Sequence, residues 1–468
     1  MAADMQELKD YHLFTCDDDY YLLNIDDMTS FCIDRDQYSA LKRIKDGPFD
    51  REGYEDLRIY LGLLNLISSG KRCIKIPDSH PVGHIMLNIT QDCNLKCRYC
   101  YGVGGEYGSR GYMSRETAFR SVDWLIRESG DLKELVITFF GGEPLLNIDV
   151  LKEVVEYAEM RQQEKRIIFG LITNGTLLSD ELISYFNEHR IRVGVSFDAV
   201  EELQNRYRPF KDGRGSYDTV RKGISDLVAS GLRHININCM VADEDIDFRE
   251  VRKSLIRTGC STMIITRPSP PLLDSTDADD IAIFNQVRSG KAEEYTEKLV
   301  RFIEEEGQDW LASIRERKVF HSKLFSGVIG QLHARKRREY FCGAGKRMVN
   351  ISISGDIYPC HRFNGTAHMK MGSIDDFDTG SKRRYMENHT SAISECSRCP
   401  VRYFCGAGCI YDNLAMEGRI DRPYKVWCSM IKKAVEMGIV ICHQLDESDR
   451  DYLEGALSGY DPVTDHRI

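Results

Sequence analysis

The chain has 468 residues, enough for two to four domains that each bury a core. Its net charge of −10 argues against nucleic acid as a partner, and its 42% hydrophobic residues include no apolar run of about eighteen that would span a membrane. The start, MAADMQELKDYHLF, lacks the basic-then-apolar order of a secretory signal, so a cytoplasmic location is expected and sixteen cysteines cannot be a disulfide framework.

Residues 1–80 read as a separate unit. Tyr20–Asp34 is apolar, then turn-forming at Asp26-Asp27, then apolar again, which predicts a β-hairpin. Gln37–Lys45 and Glu52–Ile67 carry apolar residues at helical spacing. A hairpin with helices is compatible with a winged-helix-like module or with a simple cap on the next domain.

Residues 81–282 alternate between two periods. Strands are expected at Ile85–Thr90, Glu134–Phe140, Ile167–Thr173, Val193–Phe197, His234–Val241 and Thr262–Thr266. Helices are expected at Arg115–Arg127, Val150–Met160, Asp180–His189, Tyr217–Ala229 and Phe248–Thr258. This order specifies an α/β fold with a parallel sheet, a partial (β/α)6 barrel whose site lies at the carboxyl ends of its strands.

Pro268–Asp280 reads as a linker and residues 283–340 as a charged helical bridge. The charge of that bridge, like the basic runs Arg335–Arg338 and Lys382–Arg384, is expected to face solvent. Residues 341–430 are cysteine-dense, with few long helical patterns, as in a small domain whose core is partly inorganic. Residues 431–468 begin as an apolar-striped helix and end in a polar tail.

Cys93, Cys97 and Cys100 lie in CNLKCRYC, directly after the first barrel strand. Three thiolates leave one iron of a 4Fe–4S cluster open, whereas structural zinc is normally closed by four ligands. A zinc knuckle completed by a distant residue and three unrelated thiols are the alternatives. Gly141-Gly142-Glu143-Pro144 follows the second strand, where glycines permit close approach and a carboxylate can receive an ammonium group. The second cysteine group reads C-x12-G-x4-C over Cys342, Gly355 and Cys360, then C-x2-C-x5-C-x3-C over Cys396, Cys399, Cys405 and Cys409, closed by Cys428. A zinc ribbon is the alternative there, although its second pair normally repeats C-x2-C.

C-x3-C-x2-C with an aromatic before the last cysteine resembles the radical S-adenosylmethionine superfamily, and the seven later cysteines resemble its SPASM extension. The resemblance covers residues 80–430. It implies three 4Fe–4S clusters and S-adenosylmethionine as cofactors, with Cys93, Cys97 and Cys100 on the cluster that cleaves the sulfonium to a 5′-deoxyadenosyl radical. It places Tyr99 near the adenine, Gly141, Gly142, Glu143 and Pro144 at the methionine ammonium, and Asn174, Ser196, Asp198 and Arg208 near the cosubstrate. For the auxiliary clusters it implies Cys342, Cys360 and Cys409 on one and Cys396, Cys399, Cys405 and Cys428 on the other. One iron of the first then remains open, held by a non-cysteine group, or reached by one of Cys16, Cys32, Cys73, Cys239, Cys260 and Cys442, which otherwise read as small buried hydrophobes.

SPASM relatives mostly act on peptides, and the N-terminal unit is similar to the modules with which maturases of ribosomally made peptides grip a leader by strand addition. The implied activity is crosslinking of a precursor peptide, with a cysteine thioether as the leading product and a flavodoxin- or ferredoxin-like electron donor. Carbon–carbon crosslinking and anaerobic sulfatase maturation are the alternatives. In the latter family an Asp follows the cysteine of G-x4-C, where this chain has His361. A cluster- or zinc-holding carrier or scaffold is the reading from outside enzymology.

Overall fold

A computed structural model describes residues 10–46, 61–64, 66, 80–161, 165–242, 247–260, 262–266, 268–273, 292–318 and 322–457. The predicted hairpin is present as β2 (Asp19–Asn24) and β3 (Thr29–Ile33), but a further strand, β1 (Tyr11–Cys16), pairs antiparallel with β2. Helix α1 (Arg35–Asp46) follows, and most of the Glu52–Ile67 helix lies outside the described residues. Strand alternation gives this small sheet two apolar faces. Tyr11, Leu22 and Ile33 form a core with Leu41 of α1, while Phe14, Tyr21 and Leu23 join the main core.

All six expected parallel strands form: β4 (His84–Gln91), β6 (Glu134–Gly141), β7 (Arg166–Thr173), β8 (Arg192–Ser196), β9 (Ile235–Met240) and β10 (Thr262–Thr266). A two-residue strand, β5 (Gly111–Tyr112), pairs with the end of β4. The helices between them are α2 (Arg115–Glu128), α3 (Ile148–Met160), α4 (Asp180–Glu188), α5 (Glu201–Tyr207), α6 (Tyr217–Ala229) and α7 (Phe248–Ile256). Their starts have local causes: the side chains of Ser114, Ser179 and Asp247 accept hydrogen bonds from first-turn N–H groups of α2, α4 and α7. Helix α5 was not expected, because its seven residues are too few to show a period.

The bridge is two helices, α8 (Ala292–Arg315) and α9 (Lys323–Ala334). Its charge is not all solvated, because Glu306 is buried and accepts from Ser322 Oγ at 2.7 Å. The basic runs also need correction. Lys382 is buried, donating to the His80 carbonyl at 2.9 Å, and Arg337 bonds the Asp26 carbonyl and lies 4.8 Å over the Tyr403 ring. Long aliphatic stems let such cations be covered while the head finds an acceptor.

In the C-terminal region, β11 (Met348–Ile351) adds parallel to the free side of β4 and β12 (Ile357–Tyr358) pairs antiparallel with β11, giving the order β10-β9-β8-β7-β6-β4-β11-β12. Three longer helices follow: α10 (Ile410–Glu417), α11 (Lys425–Gln444) and α12 (Glu447–Leu457). Cys428 lies in the first turn of α11, so the expected boundary at residue 430 falls inside a continuous helix. The N-terminal sheet docks on α11, with His12 Nε2 2.9 Å from Glu436 Oε1. Among the described residues, no helix is long and apolar enough to cross a membrane.

Candidate active site

The loop carrying Cys93, Cys97 and Cys100 hangs from the end of β4 and is held at its root by Asp92. That carboxylate accepts from Arg110 at 2.7 Å, Lys211 at 2.9 Å and Tyr112 at 3.0 Å, and from the Cys93 N–H at 2.9 Å. Burial opposes its charge, but the bonds from Lys211, Arg110 and Tyr112 hold it down at about 2. Backbone bonds from Lys96 N to Pro209 O (2.8 Å) and from Arg98 N to Tyr207 O (2.9 Å) clip the loop to the next wall. The sulfurs face donors: Leu95 N reaches Cys93 Sγ at 3.4 Å and Asn174 Nδ2 reaches it at 3.7 Å, while burial pushes the Cys100 thiol up, opposed by N–H groups of Gly102, Gly105 and Gly104.

Close against this loop lies Gly141-Gly142-Glu143-Pro144. A Cβ on Gly142 would fall 2.1 Å from the Asp92 carbonyl oxygen, so only glycine permits this approach. Glu143 is fully buried and accepts from Thr173 Oγ1 and Asn174 N, both at 2.7 Å, and from Leu145 N at 3.1 Å. Burial pushes its carboxyl up to about 7 in spite of those bonds. Pro144 opens a single 3-10 turn behind it.

The positions after β7 and β8 are joined rather than separate. Asn174 Nδ2 donates to Asn94 Oδ1 at 2.8 Å, inside the cysteine loop. Asp198 accepts from Tyr99 Oη, from Arg208 Nε at 3.0 Å and from Met240 N at 3.0 Å, and the Arg208 guanidinium lies 5.1 Å over the Tyr99 ring. Tyr99, Asp198 and Arg208 thus form one buried network. Ser196, half-buried at the end of β8, precedes it.

Cys342, Cys360 and Cys409 lie within electrostatic reach of one another, and Cys396, Cys399, Cys405 and Cys428 form a second such set. Among the described residues, no three His, Cys, Asp or Glu side chains converge closely enough to share one metal ion. The spare cysteines are scattered: Cys16 and Cys32 in the N-terminal sheet, Cys239 near Asp198, Cys260 after α7 and Cys442 near the end of α11. Cys73 lies outside the described residues.

Sequence reasoning missed what lies between the two cysteine groups. Tyr101, next to Cys100, has its ring 5.8 Å from His361 and 6.0 Å from Tyr411. Arg362 lies 4.0 Å over Tyr411, donates to Asp412 Oδ1 at 2.7 Å and reaches Cys409 Sγ at 3.6 Å. His361 Nδ1 is 2.8 Å from Met86 Sδ, and its ring is 4.5 Å from that of Phe140. Burial and the Arg362 charge lower its pKa to about 3, which leaves a neutral imidazole near pH 7.

Met86 and Phe140 belong to the inner face of the barrel. Along β4, Ile85, Leu87 and Ile89 pack in the main core, so the opposite set, His84, Met86, Asn88 and Thr90, faces the lumen. Asn88 is fully buried, and among the described residues neither its Nδ2 nor its Oδ1 has a partner, nor do Thr90 Oγ1 and Asn350 Oδ1. Each such atom costs about 1–3 kcal/mol when left dry. The signal was legible, since HIMLNIT alternates polar or polarisable residues with isoleucine and leucine.

Residues 87–255 match the radical SAM superfamily. The chain carries a radical SAM domain. The uncharacterized protein MJ0907 of Methanocaldococcus jannaschii is 30% identical over 181 residues, 38% of this chain; the match spans 60% of that protein's length. The serine-type anaerobic sulfatase-maturating enzyme of Bacteroides thetaiotaomicron is 23% identical over 354 residues, covering 71% of this chain and 83% of that enzyme. The structure of native anSMEcpe with bound AdoMet and Cp18Cys peptide shares the fold at a TM-score of 0.63 and 18% identity, over 80% of this chain and 99% of the other. This radical SAM domain therefore sits in a fold that continues into the C-terminal cysteine region.

Proposed function

We propose that this radical SAM enzyme matures a ribosomally made precursor peptide by joining a cysteine sulfur to a carbon. Support comes chiefly from one arrangement: a buried polar lumen with the Cys93–Cys100 loop at its mouth and the Cys342, Cys360 and Cys409 set beside His361 on its wall. Cys93, Cys97 and Cys100 hold a 4Fe–4S cluster; Cys342, Cys360 and Cys409 hold a second, and Cys396, Cys399, Cys405 and Cys428 a third. N–H donors at Cys93 (Leu95 N and Asn174 Nδ2) and at Cys409 (Arg362) suit thiolate ligands of an iron–sulfur cluster. When bound, the first cluster and S-adenosylmethionine supply the acceptor for a hydrogen atom, and the auxiliary clusters supply the acceptor for one electron.

The chain's own residues do the rest. Glu143 and Asn174 receive the polar end of the cosubstrate, Asp198 fixes Tyr99 and Arg208 on its other side, and the lumen excludes water. The substrate loses a C–H hydrogen atom, a thiol proton and one electron as the C–S bond forms. The N-terminal sheet, whose β1 and β3 edges lack partner strands among the described residues, holds the leader by strand addition. A flavodoxin- or ferredoxin-like protein donates the initial electron.

Sulfatase maturation is the second reading, favoured by the name of the Bacteroides relative. Incubating the reconstituted enzyme with the peptide of a neighbouring short reading frame, and separately with a cysteine-bearing sulfatase peptide, decides between them. Loss of two hydrogens per crosslink in the former supports thioether formation. An unchanged mass there, with oxidation of the sulfatase peptide, replaces it by the second reading.

A further inference from the structure

We propose that the outer face of the Cys93–Cys100 loop, together with the 206–214 segment paired to it, is the docking surface for an acidic one-electron carrier protein of the flavodoxin kind. The inference rests on the iron–sulfur cluster proposed above at Cys93, Cys97 and Cys100 and needs nothing of the peptide chemistry. It adds where the initial electron enters.

The two stretches form one surface because their backbones are joined. Lys96 N donates to Pro209 O at 2.8 Å, Arg98 N to Tyr207 O at 2.9 Å and Lys211 N to Asn94 O at 3.2 Å, and Leu95 and Phe210 form an antiparallel bridge. Lys96, Arg98, Arg206, Lys211 and Arg214 stand along them, and Arg110 joins through Asp92. Besides the buried Arg208, residues 92–98, 106–112 and 206–214 thus hold six cations against three carboxylates, Asp92, Glu106 and Asp212; Glu201 and Glu202 open α5 a helical turn before Arg206. One of those carboxylates is covered. The Asp92 side chain is 6% exposed, whereas its partners Arg110 and Lys211 are 62% and 44% exposed, so solvent meets two cations over one sunken counter-charge. Tyr112, 50% exposed, donates to the same Asp92 and sets an aromatic ring among the cations, a mixture that protein interfaces favour.

The chain as a whole carries −10, so an acidic carrier is repelled by the rest of the surface and oriented toward this face. Cys97 directly follows the exposed Lys96 and is itself half-buried, so a carrier seated here is separated from a cluster ligand by the thickness of one loop. A reduced flavin gives one electron to the iron held by that loop and leaves oxidised by one electron.

The test uses the reconstituted full-length enzyme and recombinant flavodoxin. Oxidised flavodoxin, which drives no turnover, is titrated to give a Kd; reduced flavodoxin and, separately, dithionite then drive formation of 5′-deoxyadenosine. In the double variant Arg206→Glu, Arg214→Glu, the Kd at about 50 mM salt should rise at least ten-fold, with the difference from wild type closing toward ~0.5 M salt as the charges are screened. Dithionite needs no docking, so its rate should stay within about two-fold of wild type. Asp212→Asn removes an exposed carboxylate, keeps an acceptor for Arg214 N, and should tighten the Kd about two-fold. Lys432→Glu, on α11 near Cys399, should leave the Kd unchanged. The inference falls if wild type does not bind flavodoxin, if the double variant binds it as wild type does, or if Lys432→Glu weakens binding instead. An equal loss with dithionite also overturns it, since Arg206 and Arg214 would then support the loop, as does tighter binding of a single-stranded DNA oligonucleotide at this face. Wild type that makes no 5′-deoxyadenosine with dithionite sinks the cluster reading and this inference together. An unchanged peptide mass alongside normal flavodoxin-driven cleavage removes the maturase reading alone.

Discussion

The Cys93–Cys100 loop is a short stretch of chain hung from one strand end, whereas the seven later cysteines reach from Cys342 to Cys428 through a hairpin, several turns and the start of α11. Bonds gathered at one strand end define the first site: Asp92 ties the loop root to Arg110 and Lys211, and Gly142 presses the neighbouring loop against it. The second region has a poorer frame of regular structure, and its arginines and tyrosines bridge between segments. A locally built site should fail alone when damaged. A site built from distant segments should change its electronics before it fails.

Cys97→Ala gives the largest effect and tests that independence directly. Formation of 5′-deoxyadenosine should fall more than ~100-fold, while iron drops from about twelve to about eight per chain. Loss of all iron would show that the regions fold as one metal-dependent unit. Gly142→Ala comes next, because its Cβ collides with backbone rather than with a flexible tip. S-adenosylmethionine cleavage should fall ~10–100-fold with auxiliary iron unchanged, measured by product formation and iron assay.

Arg362→Gln sharpens the comparison from the other side. Removing a cation and an N–H donor beside Cys409 should lower the midpoint potential of an auxiliary cluster by tens of millivolts in a redox titration followed by electron paramagnetic resonance. Cleavage of S-adenosylmethionine without peptide should change about two-fold or less. An unaltered potential would mean that Arg362 serves packing only.

The smallest effect concerns Glu306 in α8. Burial raises its carboxyl pKa, opposed by the Ser322 hydrogen bond and the Arg252 charge. With the folded value above the unfolded one, its stabilising contribution is present in acid, below the unfolded pKa, and is lost as pH rises through the raised value. Compared with Glu306→Gln, wild type should therefore lose a few degrees of melting temperature between about pH 5 and pH 8. Parallel curves would show the carboxyl to be ionised throughout.

The barrel was legible because its cause is periodic. Isoleucine, leucine and valine alternate along β4 and β8, and Ser114, Ser179 and Asp247 mark helix starts, so the strands and the five longer helices agree with expectation to within a few residues. The cysteine partition came from a resemblance of spacing and stands as part of the proposed function. Long-range pairings could not be read. Nothing in Met348–Ile351 says that four residues will extend a sheet begun more than two hundred positions earlier, and nothing in KRR says that Lys382 will find the His80 carbonyl. Asp92, Tyr101 and Arg362 escaped notice because each acts through a partner distant in sequence.

The short strand β11 carries a practical consequence for anyone who would trim this protein. It caps the side of β4 that would otherwise present bare N–H and C=O groups to other molecules. Removing the cysteine-rich portion to obtain a minimal catalytic core would thus uncover an adhesive margin, and the fragment should aggregate even if every barrel residue were kept. A soluble truncation needs that margin blunted by lysine or proline, or Met348–Ile351 grafted back as a covering ribbon.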